Sequence, residues 1–151
     1  MSYIVTSPGR IIATEYSPCG TYLAFAGGRA VFIYLTDNYS LYRILISPCP
    51  VKKIHFTGNN IISLNRENII SLWDLTTGSV IREVREDFSV TSLMSNENTV
   101  ASGGEYGELC LRDLENFDML HMVKAHEKRI NAVCFKDTYL ATGSSDGKIK
   151  L

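Results

Sequence analysis

Hydrophobic and polar residues alternate in short runs along the whole chain, with a period of two. Val31-Phe-Ile-Tyr34, Ile69-Ile-Ser-Leu-Trp-Asp74, Glu108-Leu-Cys-Leu-Arg-Asp113 and Lys148-Ile-Lys-Leu151 are four such runs. A period of two places alternate side chains on opposite faces of a strand, so these segments predict β-structure. Each is preceded by a second, small-residue strand: Tyr22–Gly28, Asn60–Arg66, Thr99–Glu105 and Tyr139–Ser145. A further strand lies upstream of each, marked by Ile11/Thr14/Tyr16, Val51/Ile54/Phe56, Val90/Leu93 and Ile130/Val133/Phe135. Fourth strands follow at Leu41–Ile46, Val80–Val84 and Met119–Val123. Turn residues separate them, as at Ser17-Pro-Cys-Gly20, Gly58-Asn-Asn60, Thr76-Thr-Gly78 and Asn96-Glu-Asn98. Asp146-Gly147 between two apolar runs signals a tight hairpin. The best helical stretch, Glu115–Lys124, is interrupted by Asn-Phe-Asp and reads as loop followed by strand.

The pattern repeats. Aligned second strands carry Ala24, Ile62, Ala101 and Ala141 at their third position, giving steps of 38, 39 and 40 residues. Four antiparallel strands per roughly 40 residues is the unit of a β-propeller blade. The expected fold is therefore all-β, with about four four-stranded blades at 11–47, 48–85, 86–124 and 125–151 and the last one incomplete. A short N-terminal strand is expected within residues 1–10, at Tyr3–Thr6.

Specific residues carry a family resemblance. Ser71-Leu72-Trp73-Asp74 resembles the Trp-Asp dipeptide of WD-repeat proteins, and Ala125-His126 stands where that family has Gly-His. Leu140–Leu151 is similar to the family's second hairpin almost residue for residue. The resemblance covers about residues 11 to 151. It implies a buried polar tetrad in each blade: a His before the first strand, a Ser or Thr in the second, an Asp in the second hairpin and a Trp in the third strand. The fourth repeat supplies His126, Thr142 and Asp146. The second supplies Ser63 and Trp73, with Glu67 at the Asp position and no His. The third supplies Ser102, with Tyr106 and Arg112 at the Asp and Trp positions. The first has Tyr34 in place of Trp and no Asp. A buried His and Asp are tolerated only when each donor and acceptor is paired, so these residues read as structural and not as a catalytic dyad.

Composition narrows the function classes. With 15 basic and 16 acidic residues in 151, the net charge of −1 excludes a chain-wide electrostatic grip on nucleic acid. Residues 1–75 carry 6 basic and 4 acidic groups, leaving 9 and 12 in residues 76–151. Lys52-Lys53 and Lys128-Arg129 fall just before or within the first strands of the second and fourth repeats, at positions read as equivalent. In the resembling family such positions rise toward a face where partners dock. These four, with Ser145, form a candidate rim for an acidic peptide or an RNA backbone. Glu83, Glu86 and Asp87, interleaved with Arg82 and Arg85, read as a solvated loop.

Other chemistry is sparse. Cys19, Cys49, Cys110 and Cys134 have no C-x-x-C spacing, so they read as small apolar residues in a reducing compartment. Gly103-Gly-Glu-Tyr-Gly107 is a hairpin turn and not a phosphate loop, and His121 with His126 lacks a third metal ligand. Ser7-Pro8, Ser17-Pro18 and Ser47-Pro48 read as turns. Glu15, Lys53 and His55 are the candidate groups of the inner strands for a site in a central channel, and they form no known catalytic constellation. No apolar run approaches the roughly 18 residues of a membrane span, and the N-terminus lacks a secretory pattern. No cofactor, metal or membrane partner is expected. The expectation is a non-enzymatic scaffold binding proteins in a larger assembly, inside the cell in the nucleus, nucleolus or cytoplasm. The pattern of degenerate early repeats resembles nucleolar ribosome-assembly proteins of the WD-repeat family. RNA binding through the basic rim and, less so, an enzyme site in a central channel are the alternatives. The chain stops one residue before the last Trp position. It therefore reads as a fragment, a half-propeller completed by a second copy, or a four-bladed ring closed by Tyr3–Thr6.

Overall fold

A computed structural model describes Ile4, Ser7 and residues 9–151. Among the described residues it contains fifteen strands and no helix. Apart from Ile4, the strand expected at Tyr3–Thr6 lies outside the described residues. The strands form four antiparallel sheets, each meandering in chain order. The first sheet holds β1 (Ile11–Tyr16), β2 (Tyr22–Gly27), β3 (Ala30–Leu35) and β4 (Leu41–Ile46). The second holds β5 (Val51–Thr57), β6 (Asn60–Asn65), β7 (Ile69–Asp74) and β8 (Val80–Arg85). The third holds β9 (Val90–Ser95), β10 (Thr99–Gly104), β11 (Glu108–Asp113) and β12 (Met119–Lys124). The fourth is three-stranded: β13 (Ile130–Lys136), β14 (Tyr139–Ser144) and the two-residue β15 (Ile149–Lys150). Residues 114–116 form a turn, 117–118 are irregular and β12 follows, which is the loop-then-strand reading of that segment.

The chain divides into two compact units, residues 1–83 and 84–151. In the first unit, the opposed faces of the first two sheets make the core. Ala24, Ala26, Val31, Ile33 and Leu45 meet Val51, Phe56, Ile61, Trp73 and Leu75 there. The small alanines on β2 leave room for the bulkier residues opposite. In the second unit, Val90, Val100, Ala101, Cys110, Ile130 and Val133 are buried. Gly103 permits the close approach of β13, because a Cβ there would lie 2.6 Å from the Ile130 side chain.

One irregularity recurs in every sheet. The pairing of the first strand with the second slips by one residue at Ile12, Lys52, Thr91 and Asn131. A β-bulge of this kind bends the strand and turns the extra residue out of the ladder. At Thr91 the hydroxyl spans the third and fourth sheets, donating toward Gly103 O at 3.0 Å and Ile130 O at 2.6 Å.

Candidate functional site

The site builds outward from one position shared by the four sheets, the fourth residue of each second strand: Phe25, Ser63, Ser102 and Thr142. In the fourth sheet His126, only 2% exposed, lies just ahead of β13. Its Nε2 is 2.9 Å from Thr142 Oγ1 and its Nδ1 is 3.0 Å from Asp146 Oδ2. Asp146 also accepts backbone N–H groups from Glu127 at 3.2 Å and Lys148 at 2.9 Å. Burial opposes ionisation of Asp146, but the His126 bond and these amides outweigh it and bring its pKa down to about 2. The loop carrying His126 is seated on the third sheet. Ala125 N and His126 N both donate to Gly107 O, at 2.9 and 3.1 Å. Gly107 has φ +92, and any Cβ there would collide with the His126 backbone.

The third sheet has a different lock at the same place. Glu86, 4% exposed, sits 16 residues before Ser102, the same interval as His126 to Thr142. Ser102 Oγ donates to Glu86 Oε1 at 3.1 Å. Arg112 grips both carboxylate oxygens, Nε to Oε1 at 2.9 Å and Nη2 to Oε2 at 2.8 Å. Its remaining Nη1 donates to Phe117 O at 3.0 Å. The Glu86 hydrogen bond holds the Arg112 guanidinium pKa above its ordinary value. The expectation that Glu83, Glu86 and Asp87 share a solvated loop is corrected here. Glu86 is buried because Arg112 satisfies its charge, and Glu83 lies on β8, where it accepts from Ser71 Oγ at 3.0 Å. Burial and the Glu86 charge push the neighbouring Cys110 thiol up to about 11.

In the second sheet Trp73 Nε1 donates to Ser63 Oγ at 2.9 Å. Buried Ser47 stands at the His position, 16 residues before Ser63, and meets Asn65 Nδ2 at 3.5 Å. In the first sheet the position is apolar. Phe25 stacks between Phe32 and Tyr34, with ring centroids 5.0 and 5.6 Å away. Four chemistries thus fill one structural position.

Two titratable groups of the first strands come together: His55 Nδ1 on β5 lies 3.0 Å from Glu15 Oε1 on β1. Glu15 Oε2 accepts Phe56 N at 3.2 Å, so this carboxylate ties the first two sheets to each other.

The basic residues are arranged otherwise than expected. Lys128 and Arg129 precede β13, and their carbonyls accept Ser144 Oγ and Ser145 N, both at 3.0 Å. Ser145 is exposed and meets Asn131 Nδ2 at 2.8 Å, so Lys128, Arg129 and Ser145 cluster. Arg129 Nη1 pairs with Glu105 at 3.5 Å. Lys52 and Lys53 lie inside β5, and the bulge register matches Lys52 to Asn131. The two basic pairs are therefore three residues apart in register, which corrects the reading of them as equivalent.

No group of three or more potential metal ligands occurs among the described residues. No helix there is long and apolar enough to cross a membrane.

Known proteins bear on this architecture. Residues 117–151 match the family described as WD domain, G-beta repeat. The WD-40 repeat-containing protein MSI3 of Arabidopsis thaliana is 32% identical over 111 residues, 64% of this chain and 26% of MSI3. The U5 small nuclear ribonucleoprotein 40 kDa protein of Dictyostelium discoideum is 25% identical over 160 residues, 98% of this chain and 44% of that protein. The chain spans less than half the length of these curated relatives. Among solved structures, the computationally designed protein Ika4 superposes with a TM-score of 0.87 at 20% identity, covering 98% of this chain and 93% of Ika4.

Proposed function

We propose that this chain, which belongs to the WD-repeat family of β-propellers, is a non-enzymatic scaffold that binds protein partners within a larger assembly. One observation carries the reading: the groups with most chemical potential are consumed by the fold. His126, Asp146 and Thr142 bond one another, and Glu86, Ser102 and Arg112 do the same. What remains for recognition is the turns and edges of rigid sheets, as suits a binding module. The relatives named as WD-repeat and small nuclear ribonucleoprotein proteins support protein partners and an intracellular setting. The second of them also supports a finer reading, service in a ribonucleoprotein complex, of which a ribosome-assembly complex is the narrower form proposed from the repeat pattern. In this reading Lys128, Arg129 and Ser145 form one docking cluster and Lys52 and Lys53 another. Completion of the ring by further blades or a second copy belongs to the same reading.

Direct RNA binding is the second reading, favoured by the exposed Lys128 and Arg129. It is the weaker one, since Arg129 is already paired with Glu105. The test is affinity capture with the tagged chain in the presence and absence of ribonuclease. A defined protein set that survives ribonuclease, and is lost on Lys128→Glu/Arg129→Glu with an unchanged melting curve, is the expected result. A set removed wholly by ribonuclease would transfer the assignment to RNA. Recovery of the chain alone would sink both readings.

A further inference from the structure

The turn between β9 and β10 and the turn between β13 and β14 lie at the ends of their strands remote from His126. Together they bound a cleft of about 440 Å³. That volume falls within the roughly 300–1,000 Å³ of ligand-sized pockets. Asn96, Glu97 and Asn98 line one side and Asp137 and Thr138 the other, with Phe135 the one aromatic side chain among the lining residues. The turns are held to each other: Asn96 Nδ2 donates to Asp137 O at 3.1 Å. Asn96 Oδ1 accepts Asn98 N at 3.0 Å and Thr99 N at 2.8 Å, which fixes the shape of its own turn. Asp137 takes φ 53, a left-handed conformation that Asp tolerates better than most residues.

The charge of this cleft is one-sided. Two carboxylates and no basic side chain line it, and neither Glu97 nor Asp137 has a salt bridge among the described residues. Small-molecule pockets are mostly apolar, so this lining selects against a greasy ligand. A divalent ion would need converging ligands, and no such group occurs among the described residues. A guanidinium answers each feature. Its forked N–H donors suit carboxylates, and its plane packs on an aromatic ring where the compact ammonium of lysine gains less.

We propose that this cleft binds an arginine side chain of a partner peptide. It shares no residue with the basic clusters described above, so it stands or falls separately from them. The test is an NMR titration of the ¹⁵N-labelled full chain with acetyl-Gly-Arg-Gly-amide and with its neutral isostere, acetyl-Gly-citrulline-Gly-amide. The arginine peptide should give saturable shifts confined to the amides of 96–98 and 135–138. The isostere, and the Glu97→Gln/Asp137→Asn variant with the arginine peptide, should bind about tenfold more weakly or less. Glu97→Gln alone serves if the double variant fails to fold, with an intermediate loss expected. Equal response to both peptides, undiminished binding by the variants, or no shifts in these two segments would each overturn the proposal.

Discussion

Glu86 and Arg112, 26 residues apart in the chain, form a bidentate ion pair buried in the third sheet, with a shortest contact of 2.8 Å. Both side chains are nearly excluded from solvent, so neither charge is satisfied without the other. Removing one partner of a buried pair costs about 3–5 kcal/mol, because the survivor is left uncompensated. Glu86→Ala and Arg112→Ala should each destabilise by that order in urea unfolding. A double-mutant cycle should show the two losses to be strongly non-additive. Additive losses would disprove the coupling.

His126 satisfies both Thr142 and Asp146 from within the fold. His126→Ala should destabilise by about 1–3 kcal/mol, the penalty for leaving buried polar partners unsatisfied. The check is the unfolding midpoint; an unchanged midpoint contradicts a structural role. Gain or loss of any hydrolytic activity is not expected to accompany it.

Acid should act through Asp146. Its pKa falls from 3.8 to about 2 on folding, so the unfolded chain takes up a proton at a higher pH than the folded one. The stabilisation from this carboxylate is complete above about pH 4 and is lost as the pH falls toward 2. Over that window Asp146→Asn should flatten the dependence of the melting temperature on pH. An acid limb of the same slope in the variant would refute the assignment.

The cysteines should separate by reactivity. Cys19 is exposed in the turn after β1, where Ser17 and Thr21 hydroxyls at 3.4 and 3.3 Å favour the thiolate and lower its pKa to about 7. Cys110 is buried beside Glu86, with its pKa raised to about 11. Alkylation of the native protein near pH 7.5, followed by mass spectrometry, should modify Cys19 first and spare Cys110 until unfolding. Early modification of Cys110 would contradict its placement.

The strand order was legible because each strand alternates with a period of two and the repeats keep step to within two residues. Ala24, Ile62, Ala101 and Ala141 all fall on second strands in the structure. The Glu86–Arg112 pair was harder to read, since a charged residue between Arg85 and Asp87 looks solvated. The usable signal was interval and not residue type: 16 residues separate Glu86 from Ser102, as they do His126 from Thr142. The bulges at Lys52 and Asn131 left no mark in the hydrophobic pattern, because an extra residue there keeps its polar character. They fall at matching positions in the two sheets, whereas Lys128 precedes β13 and lies three residues before the position that matches Lys52. The Asn96–Asp137 cleft joins two turns 41 residues apart that carry no shared motif.

The unlike locks give each sheet its own sensitivity to the medium. Acid reaches the Asp146 carboxylate of the fourth sheet, whereas the Phe25–Tyr34 ring stack of the first fills the same role without a carboxylate. Where stability is a sum of local terms and neighbour terms, a protein so built does not soften uniformly. A drop in pH becomes a spatial signal. It loosens one stretch of the backbone while another keeps its protons from exchanging, so a change of solvent is converted into a choice of which part of the chain opens.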